Sequence, residues 1–200
     1  MARPTRWETD TAEGHSEWYI KRFRNMTAQG DDLFGEARLI DAMVGRRSRI
    51  LDAGCGPGRL GGYLHGQGHT VVGVDADPKL IEAAEHDYPG PRWLVGDLSE
   101  LDLPARGETE PFDAAILAGN VLAFVAPDTE ADVLTRVGSH LRPDGFLAVG
   151  FHTNRIPMVA YEAAVAASGL TEEHRFATWD LRPWRDDADF IVDILRRPTT

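Results

Sequence analysis

Three carboxylates occupy matching places in this chain. Asp52, Asp75 and Asp97 each close a short apolar run, at intervals of 23 and 22 residues. Between the first two, the stretch "LDAGCGPGRLGG" (residues 51–62) carries Gly54, Gly56, Gly58, Gly61 and Gly62. Glycine has no Cβ, so such a loop turns tightly and brings its backbone against a ligand. An acid ending the following strand accepts hydrogen bonds from both hydroxyls of a ribose. The combination suits a ribose-containing ligand held over a negatively charged rim.

Placing three acids along one rim requires a regular scaffold, and the apolar periodicity supplies it. "RILDAG", "HTVVGVD", "RWLVGD", "FDAAILAGN" and "GFLAVGFH" read as five strands. Helical stretches "GRLGGYLHGQG", "PKLIEAAEHDY" and "TEADVLTRVGSHL" fall among them, the second opened by Asp77 as a cap and Pro78 at the first helical position. A further helix, "MVAYEAAVAASG", precedes two strands, "EHRFATWDL" and "DFIVDIL", that no helix separates. The expected fold is therefore α/β: a Rossmann-like, doubly wound, seven-stranded, mostly parallel sheet with a C-terminal antiparallel hairpin. Two N-terminal helices are expected over Ser16–Gln29 and Leu33–Val44, and Glu100–Pro111 reads as a mobile polar loop. One domain spans 1–200, with an N-terminal helical section at 1–48 and the core at 49–197. In such a sheet, ligands bind beyond the C-terminal strand ends, where the chain reverses direction.

Composition removes several classes of partner. A net charge of −11 opposes binding to a phosphate backbone, and "GRRSR" is the longest basic run, so nucleic acid is not the expected partner. No apolar run is long enough to span a bilayer, and the N-terminus lacks the apolar core of a secretory signal; a cytoplasmic protein is the expectation. Cys55 is the only cysteine and reads as a small residue filling a crowded turn. No His, Asp or Glu cluster has metal-ligand spacing. Oligomeric state is left open.

Two ligand classes match the glycine loop. "GPGRLG" (56–61) fits G-x-G-x-x-G, the dinucleotide pattern, which would make the protein an NAD(P)-dependent oxidoreductase. Asp52 and Asp97 argue against it, since a pyrophosphate gains nothing from extra negative charge. A cationic ligand meets no such objection, and S-adenosylmethionine carries both a sulfonium and an ammonium.

The motifs as a set resemble class I S-adenosylmethionine-dependent methyltransferases. "ILDAGCGPGRLGGYL" is similar to their first motif and "VVGVDADPKLIEAA" to their second, while "WLVGDLSELDLP", "FDAAILAGNVLAFV" and "LRPDGFLAVGFH" follow in the family's order. The resemblance runs from about Arg49 to Arg197. It implies that Asp52 and the backbone of Ala53, Gly54 and Gly56 hold the methionine portion of the cofactor, with Gly58 also cofactor-binding. It also implies that Asp75 binds the ribose with Ala76 beside the adenine, that Asp97 and the Leu98 N–H meet the adenine, and that Ala118, Gly119 and Asn120 line the pocket near the methyl donor.

Methyl transfer needs alignment more than acid–base chemistry, so a catalytic base is optional; His152, Asn120 and Tyr19 are the candidates. In such enzymes the N-terminal helices and the segments after strands four and five cover the acceptor. That points to Trp18, Tyr19, Arg22, Phe23, Met26 and "HTNRIPM", and "ATWDLRPW", with Trp179, Arg182 and Trp184, either packs the hairpin or covers the acceptor. The chain has "AGNVLAF" where amino-methylating nucleic-acid enzymes carry Asn/Asp-Pro-Pro-aromatic, which leaves a small-molecule acceptor. A non-catalytic S-adenosylmethionine-binding module remains an alternative.

Overall fold

A computed structural model describes residues 3–199. Its seven-stranded sheet has the order β3-β2-β1-β4-β5-β7-β6. The strands are β1 (Arg49–Ala53), β2 (Thr70–Asp75), β3 (Arg92–Val95), β4 (Phe112–Leu117), β5 (Leu141–His152), β6 (Thr171–Phe176) and β7 (Phe190–Arg196). The first five run parallel, and β7 lies antiparallel between β5 and β6. The chain thus winds outward from β1 in one direction and from β4 in the other. Its reversal point lies between β1 and β4, where Leu51 pairs with Ala115.

Burial on both faces explains the near-continuous apolar strands. On one face Leu51, Ala53, Val74 and Leu117 pack with α7 (Glu130–Ser139) and α8 (Met158–Ser168) through Leu134 and Tyr161. On the other, Ile50, Val71 and Ile116 pack with α3 (Gly35–Met43) and α4 (Arg59–Gly66) through Ile40 and Leu64. Strand alternation puts Asp52 on the second face, against the start of α4, and Ala53 on the first. Asp77 caps α5 (Pro78–Asp87), accepting from the Lys79 N–H at 2.8 Å.

Two expectations are corrected. The stretch Glu100–Pro111 is anchored rather than free: short 3₁₀ turns at Leu98–Glu100 and Pro104–Arg106 bury Leu101 and Leu103, and Glu108 pairs with both Arg49 and Arg92. The polar composition hid these two leucine anchors. The N-terminal section holds three helices rather than two, because α1 (Arg6–Asp10) precedes α2 (His15–Gln29). Its signal is the capping box of Thr5 and Glu8, in which Thr5 N–H donates to Glu8 at 2.7 Å and Glu8 N–H to the Thr5 hydroxyl at 3.2 Å.

The hairpin segment is also settled. Trp179 packs against Gly150 on the α3/α4 face, and Trp184 against the core of the other face under the Arg175 guanidinium. The two indoles clamp the sheet edge, and neither lines the cavity described next.

Candidate active site

A cavity of about 400 Å³ opens at the C-terminal ends of β1, β2 and β4. Asp52, Asp75 and Asp97 all line it, as do Gly54, Gly56, Ala76, Leu98, Ala118, Gly119 and Asn120. The volume lies in the range of small-ligand sites.

The glycine loop and the acids hold each other in place. Gly54 and Gly56 have φ of +76° and +52°, a region that L side chains rarely enter. Gly56 N–H donates to one Asp75 oxygen at 2.9 Å and Asp77 N–H to the other at 2.9 Å. Gly61 N–H, in the first turn of α4, donates to Asp52 at 2.8 Å. Asp97 accepts from the Ser99 N–H and hydroxyl at 2.8 and 2.9 Å. These bonds orient the carboxylates without exhausting their acceptor capacity.

Burial dominates the titration of two of them. It pushes Asp52 up to about 7, against the Gly61 N–H and Arg59, which favour the charge. It pushes Asp75 up to about 6, against the N–H groups of Asp77 and Gly56. Both carboxylates are short of stabilising charge, which a cationic or hydroxyl-bearing ligand supplies. Burial and the nearby Asp52 and Asp75 charges also raise the Cys55 thiol well above its ordinary value, so it stays neutral and inert.

The sign of the pH effect follows. A buried acid with a raised pKa binds more protons in the folded than in the unfolded chain, so its contribution to stability is greatest below about pH 4 and declines as pH rises through about 7. Asp52→Asn lacks this decline. We expect the variant to gain stability relative to the parent between about pH 5 and about pH 8, measured by urea unfolding at both pH values. A gap that does not change with pH refutes the assignment.

Over the cavity lies an aromatic roof from the N-terminal section. Trp18, Tyr19, Arg22 and Phe23 of α2 line the cavity, joined by Trp7 and His15. Trp7 meets His15, Tyr19 and Phe124 edge-on, with centroids 4.8, 5.4 and 5.6 Å away. Neither α1 nor α2 has a buried residue, so specific ties hold the roof down. Trp7 Nε1–H donates to Asp77 at 2.9 Å and the Ser16 hydroxyl donates to the same oxygen. Although burial works to raise it, these bonds hold the Asp77 carboxyl below its usual range. Arg24 adds a two-pronged pair with Asp87 at 2.8 and 3.0 Å.

Several expected site residues lie elsewhere. The Ala53 side chain points into the α7/α8 core through strand alternation, which leaves only its backbone, the part the resemblance implicates, to face a ligand. Gly58 is the cap of α4, and a Cβ there would meet the Ala84 Cβ at 2.8 Å, so its role is to let the loop pack on α5. His152 is exposed and outside the lining; its backbone N–H donates to Asn120 Oδ1 at 2.8 Å and its Nδ1 lies 3.1 Å from the same oxygen. Asn120, at φ 66°, therefore fixes the turn after β4 while lining the cavity. Met26 is half-buried but does not reach the cavity, lying nearly two turns beyond Tyr19. Arg155, within the expected segment "HTNRIPM", lines the cavity. Trp7, His15 and Phe124 line it without having been singled out as site residues; only the Thr5–Glu8 capping box gave notice of the first.

The chain's similarities agree with this geometry. A model of the methyltransferase domain family matches residues 50–145. A crystal structure of a TehB-like SAM-dependent methyltransferase from Corynebacterium glutamicum is 43% identical, covers 93% of this chain and is itself covered completely, with a TM-score of 0.85. An uncharacterized methyltransferase of Synechocystis is 31% identical over 130 residues, 65% of this chain and 59% of that protein. A trans-aconitate 2-methyltransferase of Azoarcus is 31% identical over 138 residues, 68% of this chain and 49% of that protein. The chain thus spans between 49% and 59% of the length of those two relatives. Over the solved chain the match is end to end, at an identity and superposition that leave one family, and this protein belongs to the class I S-adenosylmethionine-dependent methyltransferases.

Proposed function

We propose that the protein transfers a methyl group from S-adenosylmethionine to a small-molecule acceptor. The observation that carries this reading is Asp75: a carboxylate oriented by the glycine loop's own N–H, half-buried, and open to the cavity beside Ala76. In this reading Asp75 accepts from the ribose hydroxyls and Asp97 with the Leu98 N–H meets the adenine. Asp52 and the backbone of Gly54 and Gly56 face the methionine portion, and Ala118, Gly119 and Asn120 border the methyl donor.

When bound, S-adenosylmethionine supplies a methyl group already activated by its sulfonium. The chain's own task is to align an acceptor and exclude water. The roof serves the second need, since Trp7, Tyr19, Phe23 and Phe124 present hydrocarbon over the cavity. Tyr19 is pushed above its ordinary pKa by burial and stays protonated, so it serves as a hydrogen-bond donor rather than as a base.

Charge and enclosure support a small acceptor. The net charge of −11 disfavours nucleic acid, although similar proteins include an 18S rRNA methyltransferase as well as enzymes of small molecules. No helix among the described residues is long and apolar enough to cross a membrane, and a cytoplasmic location is part of the reading. The test is calorimetric titration with S-adenosylmethionine, S-adenosylhomocysteine and NADH in parallel. We expect the first two to bind and NADH not to; binding of NADH alone overturns the proposal.

A further inference from the structure

Three arginines line the cavity, and their charges are answered differently. Arg59 makes a two-pronged pair with Glu36 at 3.1 and 3.0 Å and also reaches the Leu33 carbonyl. Arg22 of α2 and Arg155 of the segment after β5 have no ion-pair partner among the described residues. Carboxylates are not scarce in this chain, which has 32 acids against 21 lysines and arginines. Each free guanidinium rests instead on aromatic rings: Arg22 lies 5.6 Å from Trp18 and 5.9 Å from Phe23, and Arg155 lies 5.8 Å from Phe124. Both residues are exposed, and a cation–π contact at this range leaves the N–H groups available to fork onto a planar anion.

The two arginines stand on different flanks. Tyr19 Cε1 lies 3.7 Å from the position a Cβ would take on Gly56, so α2 overhangs the glycine loop, and Arg22 follows Tyr19 by one helical turn. Arg155 stands beyond the end of β4, over Phe124 of the short helix α6 (Val121–Phe124), in a turn closed by its N–H to the His152 carbonyl at 2.9 Å. The cofactor brings one carboxylate of its own, and two free guanidinium groups outnumber it. We propose that Arg155 is the recognition residue for a carboxylate on the methyl acceptor, while Arg22 answers the cofactor's carboxylate. This assignment rests on the methyltransferase reading above. A single planar guanidinium forms two parallel N–H bonds to a carboxylate.

The test uses the intact protein saturated with S-adenosylhomocysteine, its melting temperature read with succinate and benzoate against succinamide and benzamide at equal ionic strength. The acids raise the melting temperature and the amides do not; Arg155→Gln removes the rise and Arg155→Lys restores part of it. Calorimetry supplies the second readout: S-adenosylhomocysteine affinity falls by about tenfold in Arg22→Gln and changes by less than about twofold in Arg155→Gln. Equal responses to acids and amides, a rise that survives in Arg155→Gln, or no rise with either acid overturns the assignment. Failure of the parent protein to bind S-adenosylhomocysteine is a different result: it defeats the methyltransferase reading itself, and this assignment with it.

Discussion

Gly54→Val abolishes S-adenosylhomocysteine binding, as the expected result of two separate effects. At φ +76° a β-branched residue is strained by about 1–2 kcal/mol or more. In addition, its Cβ would overlap the Val121 side chain, with the Val121 Cβ only 2.9 Å away and the two γ-carbons closer still. Val121 opens α6 directly after Asn120, so relieving the overlap moves the wall of the cavity that Ala118, Gly119 and Asn120 form. Gly54→Ala is expected to keep part of the effect, because it shares the Cβ and the strain but not the branching. Circular dichroism melts and calorimetric titration of both variants separate loss of fold from loss of binding. A folded Gly54→Val protein with parental affinity refutes this geometry.

Asp75→Ala weakens S-adenosylhomocysteine binding by about 1–3 kcal/mol, the range for losing charged hydrogen bonds to a ligand. The substitution also strands the N–H groups of Gly56 and Asp77, both of which Asp75 now accepts. Asp75→Asn is the companion, since it keeps the shape and one acceptor while removing the charge and setting its NH2 against one of the two backbone N–H groups. Because burial sets the free acid at about 6, the parent's affinity rises with pH through that value, whereas the Asn variant loses that part of the rise and keeps only the part due to Asp52 near about 7. Titrations on both sides of about pH 6 decide the matter. An affinity in Asp75→Ala equal to the parent's removes Asp75 from the ribose role.

The sheet and the acid rim were legible in the sequence because both depend on local pattern. Buried parallel strands write themselves as continuous apolar runs, and Asp52, Asp75 and Asp97 follow those runs by at most two residues. The roof was only half legible. Tyr19, Phe23 and Met26 mark a helix face, but nothing local shows that Trp7 bonds to Asp77, 70 residues along the chain. Asp77 itself read as a helix cap, which it is, yet its second oxygen does unrelated work for the roof. His152 followed the right strand, but the Asn120 side chain took its hydrogen bonds, a pairing across 32 residues that spacing cannot express. Gly58 had the right loop and a packing role, which only the approach of α5 decides, while the Ala53 side chain enters the core and the expectation for its backbone is untouched.

The tie at Asp77 bears on how long a ligand stays. Asp75, which the proposed reading sets against the ribose, and Asp77, which fastens the roof, belong to one turn joined by the Asp77 N–H to Asp75 at 2.9 Å. In the proposed reading, the Trp7 and Ser16 bonds to Asp77 fasten the roof over the ligand without touching the ligand itself. On that reading we expect Asp77→Ala to speed the release of S-adenosylhomocysteine more than it weakens the contacts of the bound state, measured by stopped-flow dissociation.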